Sequence, residues 1–155
     1  MLHLTLVTAA TDAIRTLIGE LDAELSAHYP PEQRHGLSLD AIFQPHIRFY
    51  LAARNGAPVG CAGVALFADY AEVKRMYVRP AARGQGVAQA LLAQLATTAQ
   101  QAELARLMLE TGTAQHAAIR LYAQAGFSEC PAFGTYTGMP AQALATSVFM
   151  QKRLG

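Results

Sequence analysis

The sequence predicts an α/β (α+β) fold, a mixed and mostly antiparallel sheet of about six or seven strands flanked by helices. Short runs rich in Val, Leu, Tyr and Phe recur from end to end, separated by turn residues. Two stretches, one beginning near Thr11 and one near Val87, instead repeat apolar residues at helical spacing. The second lies between two strand-like runs, so those strands should be parallel and joined by a right-handed crossover.

Composition sets the outer bounds. A length of 155 residues with 52% hydrophobic content suits a single folded domain spanning residues 1–155, with a substantial core. A net charge of +1 offers no basic surface for nucleic acid and no acidic tail. Cys61 and Cys130 lie far apart without a C-x-x-C pattern, and read as reduced core residues. His3, His28, His35, His46 and His116 show no ligand spacing, so no metal is expected. With no basic leader and no apolar run long enough for a bilayer, no membrane association is expected and the default address is cytoplasmic.

Taken in order, Leu2 to Val7 alternates weakly and reads as a first strand. Thr11 or Asp12 can cap a helix carrying Ile14, Leu17, Ile18, Leu21 and Leu25 on one face. Arg15, Glu20, Asp22 and Glu24 fall mostly on its wet side, and the helix reads as ordinary packing. Tyr29-Pro30-Pro31 ends it, since proline removes an N–H and holds the residue before it extended. His28 to Leu39 is irregular, either a plain connector or the lip of a substrate pocket.

Ile47 to Ala53 and Val59 to Phe67 read as a hairpin about Asn55-Gly56. Val73 to Val78 is a further strand, halted by Pro80. Gly84 and Gly86 then open a long helix carrying Val87, Ala88, Leu91, Leu92, Leu95 and Ala99. Arg106 to Glu110 follows as a strand, Ala117 to Gln124 as a helix, and Gly126 as its left-handed cap. Phe127 begins another strand, Phe133 to Pro140 is turn-rich, and Ala143 to Lys152 closes the chain as a strand.

The strand, turn and helix around Gly84 and Gly86 form an anion-site pattern, because the first amides of a helix lack partners within it and carry partial positive charge. No acidic residue appears between Glu72 and Glu103 to answer that charge, while Arg79 and Arg83 flank the helix start. A ligand phosphate would supply the missing charge. The competing account is a tight turn with solvated arginines.

Arg83-Gly84-Gln85-Gly86-Val87-Ala88 matches a Q/R-x-x-G-x-G/A motif, and Met76-Tyr77-Val78-Arg79-Pro80 precedes it. Ala118-Ile119-Arg120-Leu121-Tyr122 with Ala125-Gly126-Phe127 matches A-x-x-L-Y-x-x-x-G-F downstream. Together these resemble the GNAT N-acetyltransferase superfamily, firmly over Val59 to Phe127.

The resemblance implies acetyl transfer from acetyl-CoA to a primary amine of a small molecule or peptide, by direct attack on the thioester and without a metal. It implies that the amides from Arg83 through Gly84, Gln85, Gly86 and Val87 to Ala88 hold the pyrophosphate. The main chain of Met76 and Val78 would pair with the pantetheine arm, and Gln115, standing where many members have Asn, would bind it too. Glu72 is then the candidate general base, and Tyr122 the residue beside the sulfur. A lysine-like amine is almost wholly protonated at neutral pH, which is why a base is needed.

Each role has a plainer counterpart: Glu72 pairing with Lys74 on a strand surface, Tyr122 filling the core. Phe133-Gly134-Thr135-Tyr136 and Ser147-Val148-Phe149 resemble a bacterial subgroup, and either shape the acceptor pocket or are a loop and a packed strand. A dinucleotide-binding oxidoreductase fits poorly, since Gln89 stands at the third glycine position of G-x-G-x-x-G. A non-catalytic acetyl-CoA sensor would keep the whole glycine-rich stretch. The sequence leaves the acceptor, the acyl chain and a homodimer open.

Overall fold

The computed structural model describes residues 1–155. Its strands are β1 (Leu2–Val7), β2 (Ile47–Arg54), β3 (Ala57–Leu66), β4 (Ala71–Val78), β5 (Arg106–Gly112), β6 (Ser128–Glu129) and β7 (Ser147–Arg153). The helices are α1 (Asp12–Ser26), α2 (Val87–Gln101) and α3 (His116–Gln124). One seven-stranded sheet runs in the order β1-β2-β3-β4-β5-β7-β6. Only β4 and β5 are parallel.

Local chemistry accounts for the boundaries. The Thr11 hydroxyl accepts from the Ile14 amide at 3.3 Å, which satisfies an orphan donor at the start of α1. Asn55 and Gly56, both at positive φ, close the β2–β3 hairpin with the twist that two-residue turns require. The closing strand starts four residues later than the sequence suggests, because the chain from Pro140 to Thr146 is spent on turns (Ala143 N to Pro140 O, Ser147 N to Leu144 O). After Phe127 only Ser128 and Glu129 pair with β7.

Two cores lie on the two faces of the sheet. Val87, Leu91, Leu92, Leu95 and Ala99 of α2 pack against Ala62, Val64, Val73, Leu107 and Leu109. Ile14, Leu17, Ile18 and Leu21 of α1 pack with Phe49, Cys61 and Tyr77. Cys61 is fully buried, and burial pushes its thiol up to about 12; Cys130 is only half-buried. No helix is long and apolar enough to cross a membrane.

The acidic residues of α1 lie on its wetter side, as their helical spacing suggests, but each is paired with an arginine. Glu20 grips Arg79 (Nη2 to Oε2, 2.9 Å), Asp22 binds Arg75, and Glu24 meets Arg83 at 2.9 Å. Arg79 and Arg83, which flank the start of α2, are therefore paired rather than free. The Arg79 hydrogen bond holds the Glu20 carboxyl below its ordinary value.

A bulge in β4 opens the sheet. Cys61 faces Tyr77 and Gly63 faces Lys74, so Arg75 and Met76 together oppose Ala62, with Arg75 at φ 54°. Such an extra residue bends its strand. β4 pairs with β5 only at Ala71–Leu107 and Glu72–Met108, and beyond Glu72 the strands part. Glu72 sits where the wedge begins.

Candidate active site

The wedge holds two adjoining cavities, of about 400 and 100 Å³. Leu21, Leu25, Met76, Gln115 and Tyr122 line both. The two spaces therefore share one wall, made by those side chains.

The larger cavity is bounded by Met76 to Val78, the glycine turn and the start of α3. Gly84 and Gly86 sit at φ 75° and 85°, the left-handed region that glycine enters without penalty. A Cβ on either would touch nothing within 4 Å, so backbone conformation demands glycine here, and the space over the turn is open. The first bond of α2 runs from Ala90 N to Gly86 O, and no amide from Gly84 to Gln89 donates to a backbone acceptor. Such a row of free donors at a helix start suits an anion.

Arg83, Gly84, Gly86, Val87 and Ala88 line this cavity. Gln85 does not, because its side chain turns back to the Ala81 carbonyl at 3.2 Å. Arg83 Nε donates to the Val78 carbonyl at 2.9 Å, occupying one lone pair of that acceptor. Gln115 is oriented by its oxygen, which accepts from the Gly112 amide at 3.0 Å and, more weakly, from Tyr29 and Thr111. That leaves its amide nitrogen as the free donor beside the shared wall.

Tyr122 is buried and packs edge-on against Phe127 at 5.7 Å. Burial, with the nearby Glu110 charge, pushes its phenol well above the usual tyrosine range. It stays protonated at any physiological pH.

The smaller cavity is polar. Glu72, buried to 3% exposure, pairs with Lys74 at 2.9 Å and accepts from the Tyr136 hydroxyl at 2.6 Å. Lys74 also reaches the Tyr136 oxygen, at 3.3 Å. The Lys74 contact anticipated from sequence is present, but in a buried triad rather than on a strand surface. Glu110 of β5 lines the same space and accepts one hydrogen bond, from Ser147 Oγ at 2.8 Å. Burial raises its carboxyl above the ordinary value, against the lowering effects of Ser147, His35 and Lys74.

The irregular segment after α1 forms a wall of this cavity through Gln33, Arg34, His35 and Gly36. It is tied to the turns before β7, with a His35 ring nitrogen 2.8 Å from the Ala143 carbonyl and Thr146 Oγ1 donating to Gln33 at 3.1 Å. Phe133-Tyr136 reaches the cavity through Tyr136, whereas Ser147-Phe149 acts on it only through the Ser147 bond to Glu110.

Sequence reasoning passed over Glu110 and Arg75, and reached Arg34 only as part of the irregular His28–Leu39 segment, read as connector or pocket lip. Glu110 carried a signal of its own, a single acid ending the apolar run Leu107-Met108-Leu109.

A parallel strand pair splayed by a bulge, a glycine turn with free amides and a two-part cleft define the class. The chain belongs to the Acetyltransferase (GNAT) family, whose model matches residues 13–127. It is accordingly an acyltransferase. Among its relatives, the IAA acetyltransferase of Azospirillum brasilense is 42% identical over 145 residues, covering 92% of each chain. A solved Klebsiella pneumoniae structure, assigned as an acyl-CoA N-acyltransferase, shares 32% identity over 100% of this chain and 99% of its own, with a TM-score of 0.79. The N-acetyltransferase PaiA of Thermoplasma acidophilum, solved with coenzyme A, is 14% identical but covers 97% of this chain and 99% of its own at a TM-score of 0.69. That last likeness is one of fold.

Proposed function

We propose that this chain transfers the acetyl group of acetyl-CoA to a primary amine by direct attack, the coenzyme in the larger cavity and the amine in the smaller. The carrying observation is the shared wall, where Tyr122 and Gln115 face both spaces. Coenzyme A bound to a protein of this fold supports the choice of donor. The amides from Gly84 to Ala88 take the pyrophosphate, and Met76, Val78 and Gln115 take the pantetheine arm.

In the reaction, the amine nitrogen bonds to the thioester carbon and the carbon–sulfur bond breaks. We place proton removal from the amine on Glu110. Glu72 already accepts from Lys74 and Tyr136, which occupy the oxygen an amine proton would need, whereas Glu110 accepts only from Ser147 and its carboxyl, raised by burial, holds a proton more tightly. The second assignment keeps Glu72 as base, favoured by its position where β4 and β5 part. Tyr122 donates a hydrogen bond to the departing sulfur. Its raised phenol makes full proton donation unfavourable, so the thiolate takes its proton from solvent.

The test is thiol release from acetyl-CoA across a panel of primary amines, with IAA, named in its Azospirillum relative, assayed beside them as a separate acceptor. Acetyl-CoA is titrated by calorimetry alongside. Amine-dependent release supports the reading; binding without release from any acceptor points to a coenzyme sensor; no binding overturns the coenzyme site.

A further inference from the structure

We infer that the acceptor carries a carboxylate as well as its amine, as an amino acid does, and that Arg34 reads the carboxylate. This rests on the acetyltransferase reading and narrows it. Five charged side chains besides His35 line the smaller cavity: Arg34, Lys74, Arg75, Glu72 and Glu110. Lys74 and Glu72 neutralise each other at 2.9 Å, and Arg75 is answered from behind by Asp22. Two charges remain. Neither Arg34 nor Glu110 has an opposite charge within ion-pair distance.

Arg34 is the more telling of the two. Its Nε is buried without a partner, as is that of Arg75 beside the same space. Buried guanidinium donors are normally satisfied, and Arg34, unlike Arg75, receives no carboxylate from the protein, so an acceptor in the cavity that it lines would complete it. A planar carboxylate matches the guanidinium fork, accepting two parallel hydrogen bonds. Gly36 helps to set this up. A side chain there would collide with the Arg75 guanidinium, so glycine lets the Gln33–Gly36 wall close onto β4 and carry Arg34 inward.

An unanswered cation and an unanswered carboxyl in one small space are the complement of a zwitterion. The ammonium end belongs at Glu110, where it must lose its proton, and the carboxylate end at Arg34. A space of about 100 Å³ keeps those ends close, which suits an α- or β-amino acid and not an extended polyamine. A purely cationic acceptor would leave Arg34 unanswered and add repulsion.

The experiment measures kcat/KM with the full chain on matched pairs: each common α-amino acid and β-alanine against its own carboxamide, with spermidine and a short peptide as further acceptors. At least one free amino acid should exceed its carboxamide by about tenfold or more. Arg34→Gln should bring that ratio close to one, chiefly by raising KM for the acid, and Arg34→Lys should keep part of it. Because the ratio is taken within one preparation, a partly unfolded variant does not distort it. Carboxamides, spermidine or peptide acetylated as well as any free acid would overturn the inference and leave the transferase intact. Acid preference undiminished in Arg34→Gln would overturn the role of Arg34. Failure of every amine, and of IAA, to release thiol would overturn the transferase reading and this inference with it.

Discussion

At the residue scale, the contrast between Glu72 and Glu110 generates the sharpest expectation. A base must be ionised to act, and burial raises the Glu110 carboxyl, so the acidic limb of kcat/KM should lie above the ordinary glutamate value of 4.5. Glu110→Gln should lower kcat about a hundredfold or more and remove that limb, while Glu72→Gln keeps it. The reverse pattern, read from pH–rate profiles of both variants, would restore Glu72 as the base. The same shift has a sign for folding. A carboxyl raised in the folded state favours folding on the acid side of its titration, and that contribution disappears as pH rises through the folded value. Glu110→Gln should thus be at least as heat-stable as the parent at neutral pH. Tyr122→Phe tests a single hydrogen bond: kcat should fall about tenfold with acetyl-CoA affinity little changed, by steady-state kinetics and calorimetry. Unaltered turnover would return Tyr122 to a packing role.

At the element scale, the glycine turn and the β4 bulge do different work. The turn presents amides, so most side-chain changes around it should be silent, and Gly86→Asp should not. It places a side chain at φ 85° and a negative charge over the free amides. Acetyl-CoA affinity should drop about tenfold or more by calorimetry, with about 1 kcal/mol lost in thermal melts. Retained affinity would move the coenzyme elsewhere. The turn was legible in the sequence because glycine spacing, a missing acidic first turn and an apolar helix stripe are all local signals. The hairpin at Asn55-Gly56 and the parallel crossover were legible for the same reason. The bulge was not. Arg75 takes positive φ with no glycine or asparagine to announce it, since its cause is the misfit between β3 and β4 across the ladder. Likewise α1 showed its apolar face but hid the destination of Glu20, Asp22 and Glu24, whose arginine partners lie more than fifty residues away.

At the scale of the whole molecule, the acceptor cavity is assembled from distant stretches: the segment after α1, the middle of β4, the end of β5, and the turns that precede β7. Helical and strand periodicity fix each piece on its own, and only tertiary packing decides that Arg34, Glu110 and Tyr136 meet. That is why the coenzyme half of the cleft could be read from one contiguous motif and the acceptor half could not. The core also carries a second, unrelated property. Cys61 lies between α1 and the sheet with no exposed surface and a thiol held mostly protonated. A chromogenic thiol reagent should count about one reactive thiol per folded chain, the Cys130 group, and reach Cys61 only when the structure opens. Its rate of labelling therefore works as a built-in clock for global opening, readable by mass spectrometry without any engineered cysteine. Labelling as fast as at Cys130 would mean that α1 lifts from the sheet on its own.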